Sequence, residues 1–206
     1  MKWLQQIILE IFRYPILGLW YLSGWRTESD FPPDEKLVLT GAPHTSNWDY
    51  IVALLAAYEQ RRRLNVTIKS ELFFPPLGWI LRGLGGVPIE RSKSQNLVDQ
   101  IADRFNETDR MIMIFTPEGT RSYTDYWKTG FYWAAVEAKV RILCVAINWE
   151  QKRVHFGLVF EPSGDIEADF EKIKAYQEKY GSGLKPENES KIALRPRKTE
   201  DEVTVA

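Results

Sequence analysis

Two short runs constrain the fold most. Met111-Ile112-Met113-Ile114-Phe115 and Ile142-Leu143-Cys144-Val145-Ala146-Ile147-Asn148 show no alternation of apolar and polar residues. A strand with one wet face alternates, so runs like these read as strands covered on both faces. Helical stretches surround them: Asp49–Gln60, Trp79–Leu84, a segment marked by Leu97, Val98, Ile101 and Phe105 with Ser94 as its cap, Trp127–Ala138 and Ala168–Tyr180. Leu37–Thr40, Val66–Lys69 and Val87–Glu90 read as further strands, and the alternating Arg153–Phe160 fits an edge or antiparallel strand. Strands interleaved with helices give the expected fold. It is α/β, a single domain with a mixed, largely parallel central sheet flanked by helices, plus an N-terminal amphipathic membrane-associating helical segment.

The 206 residues suit one such domain. The expected organisation is a membrane anchor over 1–28, the main domain over 29–184 and a charged, flexible C-terminal tail over 185–206. A net charge of -1, with Arg61-Arg62-Arg63 the one dense basic run, argues against a nucleic-acid partner. The single cysteine, Cys144, excludes an internal disulfide and fits a reducing compartment. No Cys/His cluster has metal-ligand spacing, so a zinc site is not expected; no cofactor is expected either.

The chain opens MKWLQQIILEIFRYPILGLWYLSGWR. Lys2, Gln6, Glu10 and Arg13 share one helical face, and apolar residues spread over the rest. The uncharged run Tyr14–Trp25 has 12 residues, short of the roughly 18–20 that span a bilayer. Glu10 and the lack of a small-residue cleavage site disfavour a signal peptide. The segment reads as an interfacial anchor, with a helix docked on the protein's own core as the alternative.

One of only two histidines lies in GAPHTSNWDY, five residues before Asp49. Ser46-Asn47-Trp48-Asp49 fits a capping box, which by itself accounts for Asp49 and leaves His44 unexplained. On one continuous helix, residues five apart point about 140° away from each other. A chemical pair therefore requires His44 to sit in the loop and fold back over the first turn. An acid bonded to one ring nitrogen then fixes the tautomer and frees the other as a base.

Three other stretches end at strand termini, where open α/β sheets collect ligands. Ile68-Lys69-Ser70 supplies Lys69, Gly85-Gly86-Val87-Pro88-Ile89-Glu90-Arg91 supplies Arg91, and Thr116-Pro117-Glu118-Gly119-Thr120-Arg121 supplies Arg121. Each cation alone reads as a solvated charge. Together with His44 they suggest an acceptor that carries a hydroxyl and a phosphate.

These residues resemble the glycerophospholipid acyltransferase family, which includes 1-acylglycerol-3-phosphate (lysophosphatidate) acyltransferases. His44 to Asp49 matches its His-x4-Asp block, Gly86 to Arg91 its second block, and Glu118-Gly119-Thr120-Arg121-Ser122 its third. The resemblance covers roughly Leu37 to Asn148, and Lys69–Phe73 and Trp127–Phe131 extend it to small bacterial members. The fourth block departs: Lys139-Val140-Arg141-Ile142 stands where the family has a Gly-Val-Pro-Ile type sequence, on the side associated with the acyl donor.

The resemblance implies that His44 deprotonates an acceptor hydroxyl while Asp49 orients it. The hydroxyl attacks an acyl thioester of coenzyme A or acyl carrier protein, the co-substrate. Lys69, Arg91 and Arg121, with Gly119 and Thr120, would bind the acceptor, and Glu118 would bond its glycerol part or buttress Arg121. It implies a lysophospholipid acceptor, most simply lysophosphatidate giving phosphatidate, and a place on the cytoplasmic face of a membrane, peripheral or monotopic. The alternatives are another lysolipid or amino-lipid acceptor, or a non-catalytic lipid-binding protein, which would be expected to lose His44 or Asp49. His155, in an alternating strand, is assigned to packing, and Cys144 to an inert core position. The three arginines after the second helix suit either its dipole or anionic headgroups.

Overall fold

A computed structural model describes residues 13–90 and 97–196. Helix α1 runs over residues 13–22, followed by β1 (Arg26–Glu28), β2 (Lys36–Ala42), α2 (Trp48–Glu59) and β3 (Asn65–Lys69). Then come α3 (Leu77–Gly83), β4 (Gly86–Ile89), α4 (Leu97–Asn106), β5 (Met111–Phe115) and α5 (Gly130–Ala138). The chain finishes with β6 (Arg141–Asn148), β7 (Arg153–Phe160) and α6 (Ile166–Tyr180).

The seven strands form one sheet in the order β1-β7-β6-β2-β5-β3-β4. From β6 to β4 every pairing is parallel, so these strands send their carboxyl ends to one edge. β7 runs antiparallel to β6, with β1 parallel to β7 at the margin. This is the expected mixed, largely parallel α/β sheet. The two unalternating runs are its centre: β5 and β6 flank β2, and their apolar side chains are buried on both faces.

Right-handed crossovers sort the helices. Moving from β2 out to β4 puts α2 and α3 on one face, where Trp20 of α1 and Trp25 join Val52, Ala53, Ala56 and Ala57 of α2. Moving back puts α4 and α5 on the other, where Ile101, Phe105 and Tyr132 pack with Phe170 and Ile173 of α6. Gly85 makes the return into β4. Its φ is +93°, and a Cβ there would lie 2.3 Å from the Leu64 carbonyl oxygen. Only glycine fits such an approach, and at Gly86, the first residue of the second block, a Cβ would lie 2.8 Å from the Leu81 carbonyl oxygen.

Several expectations are corrected. β1 is too short to show a pattern. α5 begins at Gly130 because Trp127 is drawn into a β-bridge with Leu194. Residues 185–196 are not a free tail. Trp127 N–H donates to Ala193 O at 2.9 Å, Lys191 N–H to Thr124 O at 3.0 Å, and Lys185 N–H to Thr45 Oγ1 at 3.2 Å. Residues 197–206, and the cap expected at Ser94, lie outside the described residues.

The arginines after α2 hold loops. Arg62 donates to the Pro32 carbonyl at 2.7 Å, and Arg63 to those of Arg82 and Gly83 at 2.7 and 2.8 Å. In the departing fourth block, Lys139 caps α5 in the left-handed region, φ +52°, where glycine is favoured. Arg141 forms a two-pronged pair with Asp34 and holds that carboxyl below its usual range. Arg141 is the first residue of β6, at the opposite end of the sheet from His44.

α1 is docked through Trp20, yet Tyr14, Leu19 and Leu22 face outward. Residues 1–12 of the expected anchor lie outside the described residues. Among the described residues no helix is long and apolar enough to cross a membrane.

Candidate active site

β2 ends at Ala42, and Pro43 to Asn47 turn the chain into α2. Asp49, in the first turn, reaches back over this loop. Its Oδ2 accepts the backbone N–H groups of Thr45 and Ser46, each at 2.7 Å, and faces Nδ1 of His44 at 3.2 Å. Its Oδ1 accepts the indole N–H of Trp149 at 2.7 Å. Ser46 Oγ accepts the Trp48 N–H at 3.2 Å. Of the expected capping box, the Asp49 arm is present, reaching back to the Ser46 N–H; Asn47, not Ser46, stands at the N-cap without a side-chain bond, and the Asp49 N–H donates to the Ser46 carbonyl rather than its hydroxyl.

The acid therefore serves the loop and the histidine together. Asp49 is 3% exposed and acts as an acceptor, bonded by the N–H groups of Thr45, Ser46 and Trp149 and facing the His44 ring nitrogen. A carboxylate there is also favoured by the helix amino terminus. With Nδ1–H turned to Asp49, the neutral ring carries its free lone pair on Nε2. The fold-back that the sequence requires is what the loop achieves.

Glu118 follows β5 and is also 3% exposed. Its Oε1 accepts the His44 backbone N–H at 3.0 Å, and its Oε2 has no partner among the described residues. Burial pushes this acid up to about 7, against the opposing pull of the backbone N–H groups and the His44 ring. Glu118, expected to touch glycerol or buttress Arg121, supports the loop that carries His44 through Oε1.

A cavity of about 1160 Å³ opens beside this pair. His44, Asp49, Gly119, Thr120 and Arg121 line it, and its apolar wall includes Ile51, Val66, Ile114, Phe115 and Ile101. Arg121 contacts Asn47 Oδ1 across the mouth. Gly119 turns with φ +63°, beneath Lys128, which also lines the cavity. Lys69 is exposed at the end of β3 and is not part of the lining, so it does not converge with His44 as expected. Arg91 lies outside the described residues. Of the three expected cations, Arg121 reaches the site, and Lys128 supplies a second. Lys128 was signalled only by its place in the Trp127–Phe131 stretch.

Two further contributors carried no sequence signal. Trp149 meets Asp49 from 100 residues away. The segment after α6 closes over the site loops: Ser182 exchanges backbone hydrogen bonds with Ile147 and Trp149 at 2.9 Å each, and Lys185 reaches Thr45. Cys144 is buried with its thiol pushed upward by burial. The His155 ring packs at a tilt against Tyr180, centroids 4.8 Å apart, and burial holds its basicity down. Both fit packing. No cluster of metal-ligating side chains occurs among the described residues.

Residues 26–148 match the family model described as Acyltransferase. A 1-acyl-sn-glycerol-3-phosphate acyltransferase of Haemophilus influenzae is 28% identical over 151 residues, 69% of this chain and 59% of that protein. One of the same name from Saccharomyces cerevisiae is 33% identical over 92 residues, 40% of this chain and 30% of the yeast protein. The chain thus spans 59% and 30% of the lengths of these two relatives. The crystal structure of the 1-acyl-sn-glycerophosphate (LPA) acyltransferase PlsC from Thermotoga maritima superposes with a TM-score of 0.57 at 16% identity. That likeness covers 87% of this chain and 95% of the other, and concerns the fold.

Proposed function

Because the chain belongs to the acyltransferase family, we propose that it moves a fatty acyl group from a thioester to the hydroxyl of a lysophospholipid, most simply lysophosphatidate. The observation that carries this reading is the His44–Asp49 pair on the wall of a large, mostly apolar cavity, with Arg121 and Lys128 on the same wall.

His44 Nε2 takes the proton from the acceptor hydroxyl as its oxygen attacks the thioester carbonyl carbon. The carbon–sulfur bond breaks, the acyl group stays on the acceptor oxygen, and the proton passes from His44 to the departing thiolate. Asp49 holds the ring tautomer and stabilises the imidazolium that forms. Arg121 and Lys128 pair with the acceptor's phosphate, and the apolar wall takes an acyl chain. The donor is an acyl thioester of coenzyme A or acyl carrier protein.

The protein works at the cytoplasmic face of a membrane. What supports contact with lipid is the asymmetry of its surface. Leu22 of α1 is 85% exposed and Trp79 of α3 is 69% exposed, with Tyr14, Leu19, Ile80 and Leu84 open as well. On α4 to α6 only Trp133 is comparably placed. Apolar side chains gathered on one face suit an interface with lipid.

The test offers purified protein labelled acyl-CoA and acyl carrier protein against a panel of lysolipids, with His44→Ala beside it. Label should enter a phosphate-bearing lysolipid and be lost in the variant. Folded protein that transfers label to none of them would overturn the reading.

A further inference from the structure

Asp49 uses its two oxygens unequally. Oδ2 meets two backbone N–H donors and the His44 ring nitrogen, all from the loop it caps, and Oδ1 meets one donor, the Trp149 indole N–H. A buried carboxylate oxygen that loses its donor pays the desolvation penalty. Turning about Cβ–Cγ to recover a partner would carry Oδ2 away from His44. The single donor on Oδ1 therefore fixes the angle at which Oδ2 meets the imidazole.

Trp149 is itself fixed on three sides. It lies just past the end of β6, and its backbone N–H donates to Ser182 O at 2.9 Å. The Asn148 side chain closes the turn beneath it by accepting the Gln151 N–H at 2.9 Å. Its ring stands edge-on to Trp25, centroids 4.9 Å apart at 88°. Trp25 stacks in turn on Trp20 at 5.4 Å and 18°, and Trp20 donates to Glu59 at 3.1 Å. Three indoles thus run from α1 to the back of Asp49. Trp149 is absent from the cavity lining, behind Asp49.

We propose that Trp149 is a positioning residue for acyl transfer, holding the Asp49 carboxylate so that Oδ2 stays on His44, with Trp25 and Trp20 keeping its indole aimed. This rests on the acyl-transfer reading above. Losing the N–H costs turnover, because the base is misaligned, and leaves substrate binding alone.

The experiment uses the full chain in detergent and has two arms. In the kinetic arm, Trp149→Phe keeps a ring in place and removes the N–H. It should lower kcat about tenfold or more, with KM for donor and acceptor within about twofold, as fits losing a hydrogen bond to a charged group. Trp149→Leu should be no better than Phe, and in an Asp49→Asn background Trp149→Phe should cost nothing further. A purely packing role would be rescued by phenylalanine, so parental kcat in Trp149→Phe overturns the proposal.

The second arm needs no substrate. In a nitrogen-15 spectrum the Trp149 indole signal should be protected from hydrogen exchange, vanish in Trp149→Phe and move in Asp49→Asn. An indole that exchanges as fast as the exposed ones, or ignores Asp49→Asn, overturns the proposal. If Trp149→Phe does not fold, the signal moved by Asp49→Asn identifies the indole, and its exchange rate decides. If the parent chain transfers no acyl group, the activity reading falls, while the indole signal still decides whether Trp149 fixes Asp49.

Discussion

Glu118 Oε1 accepts the backbone N–H of His44 at 3.0 Å, joining the loop after β5 to the loop after β2. These strands are adjacent and parallel, so their carboxyl ends deliver the two loops side by side. The cost is a buried acid raised to about 7, chiefly by burial.

That acid makes stability depend on pH in a defined window. Folded Glu118 binds its proton more tightly than the unfolded chain does, so ionising it destabilises the fold as pH rises from the ordinary value of 4.5 through about 7. Glu118→Gln keeps the acceptor for His44 N–H and cannot ionise. Its stability relative to the parent should grow over that window by up to roughly 3 kcal/mol and then level off. Urea unfolding at pH 5 and pH 8 checks this; an equal difference at both would refute it.

Removing the base should be costly for turnover and mild for folding. His44→Ala should lower kcat by ~10²–10⁴, since the ring is a minor contributor to the core. Asp49→Asn turns an amide NH₂ towards groups that all donate, so it should lose activity and also destabilise by about 1–3 kcal/mol. Turnover and unfolding midpoints measured on the same preparations separate the two variants.

The cations on the cavity wall should act on acceptor binding. Arg121→Ala and Lys128→Ala should each raise KM for a phosphate-bearing acceptor by about tenfold, with a smaller effect on the donor, as expected for a charge-assisted contact. Lys69→Ala, outside the cavity lining, should change KM little. A large Lys69 effect would mean that the acceptor extends past the end of β3.

Exposed apolar side chains on α1 and α3 should govern lipid attachment. Leu22→Glu with Trp79→Glu should weaken flotation with vesicles, while Trp133→Glu on the opposite face should not. Equal flotation of all variants would mean that this surface does not meet lipid.

The sequence made the sheet legible where strands are buried on both faces. Met111–Phe115 appears with the boundaries its pattern implies, and the alternating Arg153–Phe160 does too, as the strand antiparallel to β6. It also made the His44–Asp49 approach legible, because spacing and a loop before a helix leave one way for them to meet. Strand-end reasoning located Lys69 correctly along β3, yet an end position does not specify which way a side chain points. Residues 185–196 read as mobile because charge and turn residues dominate their composition. Their order comes from backbone hydrogen bonds to Thr124 and Trp127, which composition does not encode. Trp149 was invisible for a related reason: its bond to Asp49 joins two elements remote in the chain.

The family match begins at Arg26, one residue after Trp25. A fragment trimmed to that boundary would keep every motif of the active site and discard both indoles that back Trp149. Its spectrum of secondary structure could look intact while the carboxylate behind the histidine was left to wander. For expression, crystallography or directed evolution, the useful cut therefore falls ahead of Trp20, and the motif-bearing region is smaller than the machine that runs it.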